Sequence, residues 1–295
     1  LHVHTQYSLL DGACRTPELL DKAVQCRMPA LAIADHGNIF GAIEFYQAAV
    51  QRGIKPIIGC ECYIAPGSRH DKSPSQGRKG TSHLVLFAKD ETGYHNLMKL
   101  ISLAYLEGFY YKPRMDKESL SKYAKGLIAS SACLKGDVAW TLRNEGYNGA
   151  LKVADDLEQI FGKGNFYLEL MENGIPEQKD VNQGLIKIGK ELQIPLIATN
   201  DVHYLERAHA AAHEALLCVQ TQTTLDDPNR MRMTTDEFYF KTPEEMKKAF
   251  SYIPEAVTNT IEIVEKCNLE LDFKKIHLPR YDPPNGQTKE DFLVS

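Results

Sequence analysis

Two histidines one residue apart, His2 and His4, open the sequence, and Asp11 follows shortly after them. Imidazole nitrogens and carboxylate oxygens are common protein ligands for zinc and other divalent cations. On a β-strand, residues i and i+2 point to the same side, so the two histidines can bind one centre together. The rest of the chain decides whether this pair belongs to a metal site.

Further residues of the same types stand at the ends of apolar runs along the chain. They are Asp35, His36, Glu61, His83, Cys133, Asp201 and His203. Asp201 and His203 repeat the i, i+2 spacing of the opening pair. Histidines thus recur at the ends of predicted strands with acids beside them, and this coincidence favours a metal site over isolated surface residues.

The number of candidate ligands exceeds what one ion requires, because zinc takes four or five. We therefore expect two or three ions, with a carboxylate such as Glu61 bridging between them. Sites in which ions lie a few ångströms apart are suited to the cleavage of phosphate esters, since one ion activates a water and the others neutralise charge on the phosphate. The pattern predicts a phosphoesterase.

Alternating strands and helices must position these residues. Seven apolar runs have the pattern of buried strands, at residues 1–4, 29–36, 55–65, 82–90, 126–133, 165–174 and 194–204, and helices are predicted between them at 16–27, 41–53, 92–108 and 176–192. This order predicts a parallel α/β sheet. Seven repeats favour a closed barrel. A Gly-rich fingerprint is absent after the first strand, which weakens the alternative of a dinucleotide-binding fold. In a barrel the carboxyl ends of the strands meet at one face.

One candidate fits this scheme poorly, and five other histidines are left outside it. His83 opens its apolar run instead of closing it, so either the predicted strand boundary is displaced or the strand begins earlier. The remaining histidines are predicted to be ordinary surface residues; they are His70, His95, His209, His213 and His277.

Composition is that of a soluble globular chain, with 43% hydrophobic and 25% charged residues among 295. The net charge of −5 provides no global basic field for nucleic acid, so any such contact must use local patches. No apolar run is long enough to span a membrane, no signal peptide is evident, and the first residue suggests a trimmed chain. Seven cysteines form no secreted framework, which predicts reduced thiols in a cytoplasmic protein.

Two segments differ from the barrel pattern. Residues 66–82 are rich in Gly, Ser and Pro and carry four basic residues, which predicts a mobile loop. After residue 205 the pattern is mostly helical, and three prolines near the end are typical of a linker. We therefore divide the chain into a metal-dependent domain at 1–273 and a linker at 274–295.

Several stretches resemble one protein family. They are HVHTQYSLLDG, ALAIADHGNIFGAIEFY, GIKPIIGCECY, HLVLFAKDETGYHNLMKLIS, GFYYKPRMD, IPLIATNDVHYL and LDDPNRMRMTTDEFYFKTPEEM. Together they are similar to the N-terminal PHP (polymerase and histidinol phosphatase) domain of bacterial DNA polymerase III alpha subunits. The resemblance covers essentially the whole chain, and YYKPRMD with DDPNRM is typical of the polymerase branch.

The resemblance implies a distorted seven-stranded (β/α) barrel, similar to a TIM barrel, with up to three metals and a mostly helical C-terminal extension. It implies one ion held by His2, His4, Glu61 and Asp201, a second by Asp11, His36 and His203, and a third by Glu61, His83 and Cys133. Asp11 and Asp201 would also be catalytic. Zinc or manganese, with iron as a further option, suits these ligands.

The same resemblance implies metal-dependent 3′–5′ exonuclease proofreading on the primer strand of DNA. Contacts with DNA are predicted for basic residues near the site: Arg69, Lys72, Arg78, Lys79, Lys112 and Arg114. The parent protein would be a DNA-directed DNA polymerase whose magnesium-binding palm is absent here. Expected partners are the rest of that chain, the sliding clamp and a separate proofreading subunit. Two alternatives stay open: a metal-stabilised structural scaffold and a small-molecule phosphoesterase.

Overall fold

In the computed structural model, residues 1–73, 80–274 and 281–294 are described. Seven strands form one curled sheet. They are β1 (Ala30–His36), β2 (Lys55–Ile64), β3 (Ser82–Ala88), β4 (Arg114–Met115), β5 (Leu127–Ser130), β6 (Phe166–Met171) and β7 (Leu196–Thr199). Six of the seven predicted runs overlap observed strands, which are β1, β2, β3, β5, β6 and β7. The two-residue β4 was not predicted.

Helices cover the outside of this sheet and continue beyond β7. The helices are α1 (Thr16–Gln25), α2 (Ala42–Gln51), α3 (Glu91–Leu106), α4 (Lys117–Tyr123), α5 (Asp137–Asn144), α6 (Tyr147–Phe161), α7 (Pro176–Leu192), α8 (Ala210–Thr221), α9 (Pro243–Ala249), α10 (Pro254–Lys266) and α11 (Lys289–Val294). Each of the four predicted helices is present, as α1, α2, α3 and α7. The mixed α/β class and the helical extension are therefore confirmed.

The sheet is not wholly parallel, and this corrects the prediction. Its order is β1-β2-β3-β5-β6-β7, with β4 on the side of β2. The pairs β1–β2, β2–β4, β5–β6 and β6–β7 are parallel, but β3 is antiparallel to both β2 and β5. An antiparallel neighbour needs only a returning loop, whereas a parallel one needs a crossover that usually contains a helix. No helix occurs in the described parts of the loop between β2 and β3.

The opening residues do not form a regular strand, although they stand where one was predicted. Val3 makes an isolated parallel bridge to Val202, and its carbonyl accepts a 2.8 Å hydrogen bond from the Ala34 backbone N–H. His4 N–H also donates to the Val202 carbonyl, at 2.8 Å. This short segment joins β1 to the residues after β7, so it closes the distorted barrel.

Side chains alternate between the two faces of each strand, and this separates a core outside the sheet from a core inside the barrel. In β2, Cys60 and Cys62 face the helices and pack in a cluster with Leu97 of α3, whereas Ile57 belongs to the cluster inside the barrel. Residues two positions apart share a face, which places Glu61 with Ile57 on the interior side. The apolar interior fills one end of the barrel, and polar side chains are confined to the other end.

The remaining expectations concern the chain's surface and thiols. All seven cysteines lie in the described part and are free. None of the helices described combines the length and the apolar character that a membrane crossing requires. Residues 281–294 contain a 3-10 turn and α11, and α11 buries none of its residues. The boundary between a domain at 1–273 and a linker at 274–295 stays a prediction.

Candidate metal centre

The candidate ligands lie at one end of the barrel, on strand ends and on the tight loops that follow them. β5 ends before Cys133, and β7 ends before Asp201 and His203. Three of these loops contain a non-glycine residue with positive φ: Leu10 (60°), Ala132 (59°) and Asp201 (48°). L-residues adopt this conformation rarely, and it is concentrated at functional sites. The backbone here is bent so as to aim side chains inward.

Glu61 stands at the centre of the group. One of its carboxylate oxygens, Oε1, accepts a 2.6 Å hydrogen bond from His83 Nδ1, and the other, Oε2, lies 2.6 Å from His36 Nδ1. His2 Nε2 is 3.5 Å from Oε1, and His4 Nε2 is 4.0 Å from Oε2. The side chain of Glu61 is only 1% exposed. It therefore has the position of a bridging carboxylate between separate groups of ligands.

Three sets of side chains converge closely enough to hold a cation. The sets are His2, His4 and Asp201; His4, His36 and His203; and Glu61, His83 and Cys133, with the ligand atoms of each set within 4.8 Å of one another. Asp11 adjoins the second set, since its Oδ2 is 3.0 Å from His36 Nε2 and its Oδ1 is 3.8 Å from His203 Nε2. All nine predicted ligands are thus brought together. Which of them share an ion stays a prediction.

Unsatisfied polar atoms provide a direct test of whether cations fit this group. Among the described residues, buried side-chain atoms without a well-oriented hydrogen-bond partner include His2 Nε2, Asp11 Oδ1, His36 Nδ1 and Glu61 Oε2, although the last two lie 2.6 Å apart. Burying such atoms unpaired costs free energy of about 1–3 kcal/mol each. Here they face one another across short gaps, as ligand atoms around a cation do. The mixed imidazole, carboxylate and thiol donors suit divalent ions.

The charges in this group strongly perturb one another. Burial disfavours a charged His36, but the adjoining Glu61 and Asp11 carboxylates outweigh burial and raise the pKa of His36 to about 10. Burial, reinforced by the neighbouring His36 and His203 rings, lowers the pKa of His4 to about 3. Burial would raise the pKa of Asp201, yet the histidines around it hold that pKa below its usual range. Without a cation the carboxylates therefore rely on protonated histidines.

Asp35, which the sequence placed among the strand-end candidates, supports the site without belonging to any of the three sets. It alternates with His36 on β1 and is 1% exposed. Its carboxylate accepts hydrogen bonds from Thr5 N–H at 2.7 Å, from Thr5 Oγ1 at 2.8 Å and from Ser8 Oγ at 2.6 Å. Ser8 Oγ in turn accepts from His4 Nδ1 at 3.1 Å. Asp35 thus fixes the loop that carries His4 and Asp11.

The sequence analysis missed two residues that contact the site. Glu169 of β6 is buried and accepts a 2.7 Å hydrogen bond from His2 Nδ1; a lone acid within the apolar run FYLELM was the available signal. His213, predicted to be a surface residue, is 2% exposed, and its Nε2 donates to the Asp11 carbonyl at 2.7 Å. It shares a buried face of α8 with Leu217, and that i, i+4 spacing was its signal. His70, His95 and His209 are exposed as predicted.

Two of the predicted DNA contacts are engaged in contacts within the chain, and their role at DNA stays a prediction. Arg69 binds Asp116 at 3.1 Å and Glu107 at 2.8 Å, and Arg114 is 4% exposed and donates to backbone carbonyls such as that of Gly108. Both arginines use their guanidinium groups to hold the loop after β2 in place.

The other predicted DNA contacts differ in position. Lys72 is exposed. Lys112 is also exposed, and its Nζ lies 5.2 Å from the centre of the Tyr63 ring. Tyr63 contacts His83 edge-on at 5.3 Å, so Lys112 stands at the rim of the site. Arg78 and Lys79 lie outside the described residues.

Comparisons with known proteins agree with this geometry. Residues 1–173 match the family model described as PHP domain. The chain is 46% identical over 285 residues to DNA polymerase III subunit alpha of Borreliella burgdorferi, which covers 96% of this chain and 25% of that protein. It is 46% identical over 306 residues to the protein of the same name from Thermus aquaticus, covering 99% of this chain and 25% of that protein. The chain thus spans about a quarter of the length of these relatives.

Proposed function

The chain belongs to the PHP domain family, and on that premise we propose that it is a metal-dependent phosphodiesterase that removes nucleotides from the 3′ end of a DNA strand. One observation carries the proposal. Nine histidine, carboxylate and thiol ligands converge at one end of the barrel, and four of their buried atoms have no well-oriented hydrogen-bond partner. Such a site is suited to binding cations, and clustered cations suit phosphate ester cleavage.

The proposed ligand sets are His2, His4, Glu61 and Asp201; Asp11, His36 and His203; and Glu61, His83 and Cys133. Two or three ions would be held, with Glu61 between the sets. Zinc or manganese fits best, because thiol and imidazole ligands favour zinc while carboxylates accept manganese or iron. When bound, the ions would supply an activated water and neutralise the charge of the phosphate. Cys133 is the single thiol among the nine ligands, which makes it a useful marker for its own set.

Two carboxylates are proposed to act directly on the substrate. The side chains of Asp11 and Asp201 are 13% and 11% exposed, whereas that of Glu61 is 1% exposed. They therefore lie closer than Glu61 to the solvent from which water and substrate enter. Neighbouring histidines hold the pKa of both carboxyl groups below the usual range, although burial opposes this. Weakly basic carboxylates are suited to orienting the attacking water by accepting its hydrogen bonds rather than to removing its proton.

Contact with the DNA backbone is proposed for the basic residues that remain available. Lys112 at the rim is the first candidate and the exposed Lys72 is the second, while Arg78 and Lys79 are proposed from the sequence alone. Ammonium and guanidinium groups bind phosphates without regard to base sequence. That property suits an enzyme that must act on any 3′ end.

The protein to which this chain belongs would be a DNA-directed DNA polymerase of the bacterial cytoplasm. Its partners would be the primer strand, the rest of the polymerase chain, the sliding clamp and a separate proofreading subunit. The similarity to DNA polymerase III alpha subunits over nearly the whole chain supports this proposal and disfavours a small-molecule phosphoesterase.

A structural scaffold is the second candidate. It is favoured by the internal roles of Arg69 and Arg114 and by the net charge of −5, since both weaken a surface for DNA. In that case the ions would stabilise the barrel, and its surface would bind other polymerase parts.

The test compares wild type with Asp201→Asn on a primer–template with a mismatched 3′ end, in zinc or manganese. Asp21→Asn is the matched control, because Asp21 lies on the exposed face of α1 and, within the described ranges, forms an ion pair with Arg52. We expect nucleotide release by wild type and by the control, and its loss in Asp201→Asn. Metal-loaded wild type without nuclease activity would support the scaffold instead, and activity confined to small phosphate esters would support the third alternative.

A further inference from the structure

Glu169 is a buried carboxylate that the proposed reaction does not use. It lies on the interior face of β6, two residues after Tyr167, and is 1% exposed. A charge at such a depth is retained only when it is well paired, because the cost of removing it from water is several kcal/mol. Among the described residues, its hydrogen-bond partners include no lysine or arginine. Its presence therefore needs another explanation.

The hydrogen bonds of Glu169 hold its carboxylate in one orientation. Oε2 accepts from Ser130 Oγ at 2.5 Å, and Oε1 accepts from Thr199 Oγ1 at 2.5 Å. The backbone N–H of Glu169 donates to Ser131 Oγ at 2.9 Å. These partners come from β5, from the residue after it and from the end of β7, so three neighbouring parts of the barrel fix the position of the carboxylate.

The remaining lone pair of Oε1 faces His2. His2 Nδ1 donates to it at 2.7 Å, and both side chains are inaccessible to solvent. A ring whose Nδ1 carries the proton offers its lone pair at Nε2. That atom is buried, lacks a hydrogen-bond partner, and points toward Asp201 Oδ1 at 3.3 Å and Glu61 Oε1 at 3.5 Å. This is the arrangement of a carboxylate, a histidine and a metal, in which the carboxylate fixes the tautomer and the ring orientation.

Other histidines of the centre show the same orientation but with weaker partners. His4 Nδ1 donates to Ser8 Oγ at 3.1 Å, and His203 Nδ1 donates to the Asp201 carbonyl at 2.8 Å. In both rings, Nε2 therefore faces the other candidate ligands. Among these three, only His2 has its Nδ1 bound directly by a carboxylate, which increases the electron density at Nε2. His2 therefore differs from His4 and His203 in that a buried carboxylate binds its Nδ1.

We infer that Glu169 is a positioning residue that sets the affinity of the ion bound by His2, His4 and Asp201. The inference rests on the proposed metal centre but not on the proposed nuclease reaction. Glu169 does not reach the substrate side, since it lies behind His2 on the apolar side of the ligand layer. Its effect should therefore concern one ion and should not extend to the set that contains Cys133.

The test measures cobalt binding by the purified protein in wild type, Glu169→Gln and Glu169→Met. Thiolate-to-cobalt absorption reports the Cys133 set, which Cys133→Ser should abolish, and total binding by competition with a chromophoric chelator reports the rest. Gln keeps an acceptor for His2 without the charge, whereas Met removes both. Glu172→Gln is the matched control, because Glu172 follows the same strand and binds Tyr252 at 2.7 Å.

We expect Glu169→Gln to weaken one cobalt site by about 10-fold and Glu169→Met by about 100-fold, with the thiolate band unchanged. Glu172→Gln should bind as wild type does. If Glu169→Met does not fold, Glu169→Gln decides alone. Equal affinities in folded Glu169→Gln and wild type, or a parallel loss at the thiolate site, would refute the positioning role, as would a wild type that binds no cobalt. Tight binding without nuclease activity would refute the proposed function and leave this inference standing.

Discussion

Replacing Asp35 tests how the opening loop is held in place. The ionised side chain accepts three hydrogen bonds from Thr5 and Ser8 while 1% exposed. Hydrogen bonds to a charged group contribute about 1.5–3 kcal/mol each. Burial nonetheless raises the pKa of Asp35, even though the hydrogen bonds of Ser8 and Thr5 oppose this. The desolvation cost therefore cancels much of the gross gain.

The two informative substitutions differ in what they leave unpaired. Asp35→Ala leaves the Thr5 N–H without an acceptor, and we expect the free energy of unfolding to fall by about 2–4 kcal/mol. Asp35→Asn keeps an acceptor for that N–H. Its amide must then donate to Thr5 Oγ1, which already accepts from Tyr7 N–H at 3.1 Å, so the Thr5 hydroxyl proton loses its partner. We expect a loss of about 1–2 kcal/mol for this variant.

Equilibrium denaturation of the metal-free protein in urea measures both values, with Asp21→Asn as a surface control expected within about 0.5 kcal/mol of wild type. Cobalt affinity should fall in the same order, because the loop carries His4 and Asp11. The reasoning is refuted if Asp35→Ala unfolds at the wild-type midpoint. It is also refuted if Asp35→Asn is the less stable variant of the two.

Three further predictions concern other supports of the site. Replacing His213 by Phe keeps the ring but removes the hydrogen bond to the Asp11 carbonyl, so cobalt affinity should fall about 10-fold while Phe at the exposed His95 changes nothing. Arg69→Met leaves the buried Asp116 carboxylate without its cation, although the backbone N–H groups of residues 69 and 119 still donate to it. The free energy of unfolding should therefore drop by about 3 kcal/mol and proteolysis after β2 should accelerate, with DNA affinity unchanged. A selective loss of DNA affinity would support Arg69 as a DNA contact. Because the pKa of His36 is raised from 6.5 to about 10, its contribution to metal-free stability is complete below pH 6.5 and is lost as the pH rises through 10. Melting temperatures measured against pH in the presence of a chelator should show this alkaline decline. Metal loading at neutral pH should release protons. A melting temperature that stays constant between pH 6.5 and 10 would contradict a protonated His36 in the metal-free protein.

Much of the barrel could be predicted from apolar runs alone. β1 and β2 match their predicted ranges within a residue, because both faces of these strands are buried and the runs are nearly continuous. Most of the candidate ligands were also identifiable, since polar residues interrupt the pattern near the ends of the runs, although His83 opens its run and Glu61 lies within its own. The position of a residue relative to a predicted strand was enough to identify it as a candidate, because the ends of neighbouring strands meet in any closed sheet.

Contacts between distant residues could not be predicted in this way. Arg69 looked like a surface cation because its partners Glu107 and Asp116 lie far along the chain and only the fold brings them within 3.1 Å. Glu169 and His213 were overlooked for the opposite reason. Each occupies a position that periodicity marks as buried, but a buried charge or imidazole is assigned a role only when its partner is known.

The direction of β3 shows how one such long-range feature determines the site. In a parallel β3, the residue at the metal-binding edge would be near Ala88, and His83 would lie about 17 Å away at a rise of roughly 3.4 Å per residue. In the antiparallel arrangement Tyr63 pairs with His83, so the first residues of β3 lie beside the last residues of β2. His83 then reaches Glu61 at 2.6 Å and Cys133 at 3.7 Å. These three side chains therefore converge because β3 is reversed, and Arg69 and Arg114 hold the first described residues of the loop that follows β2.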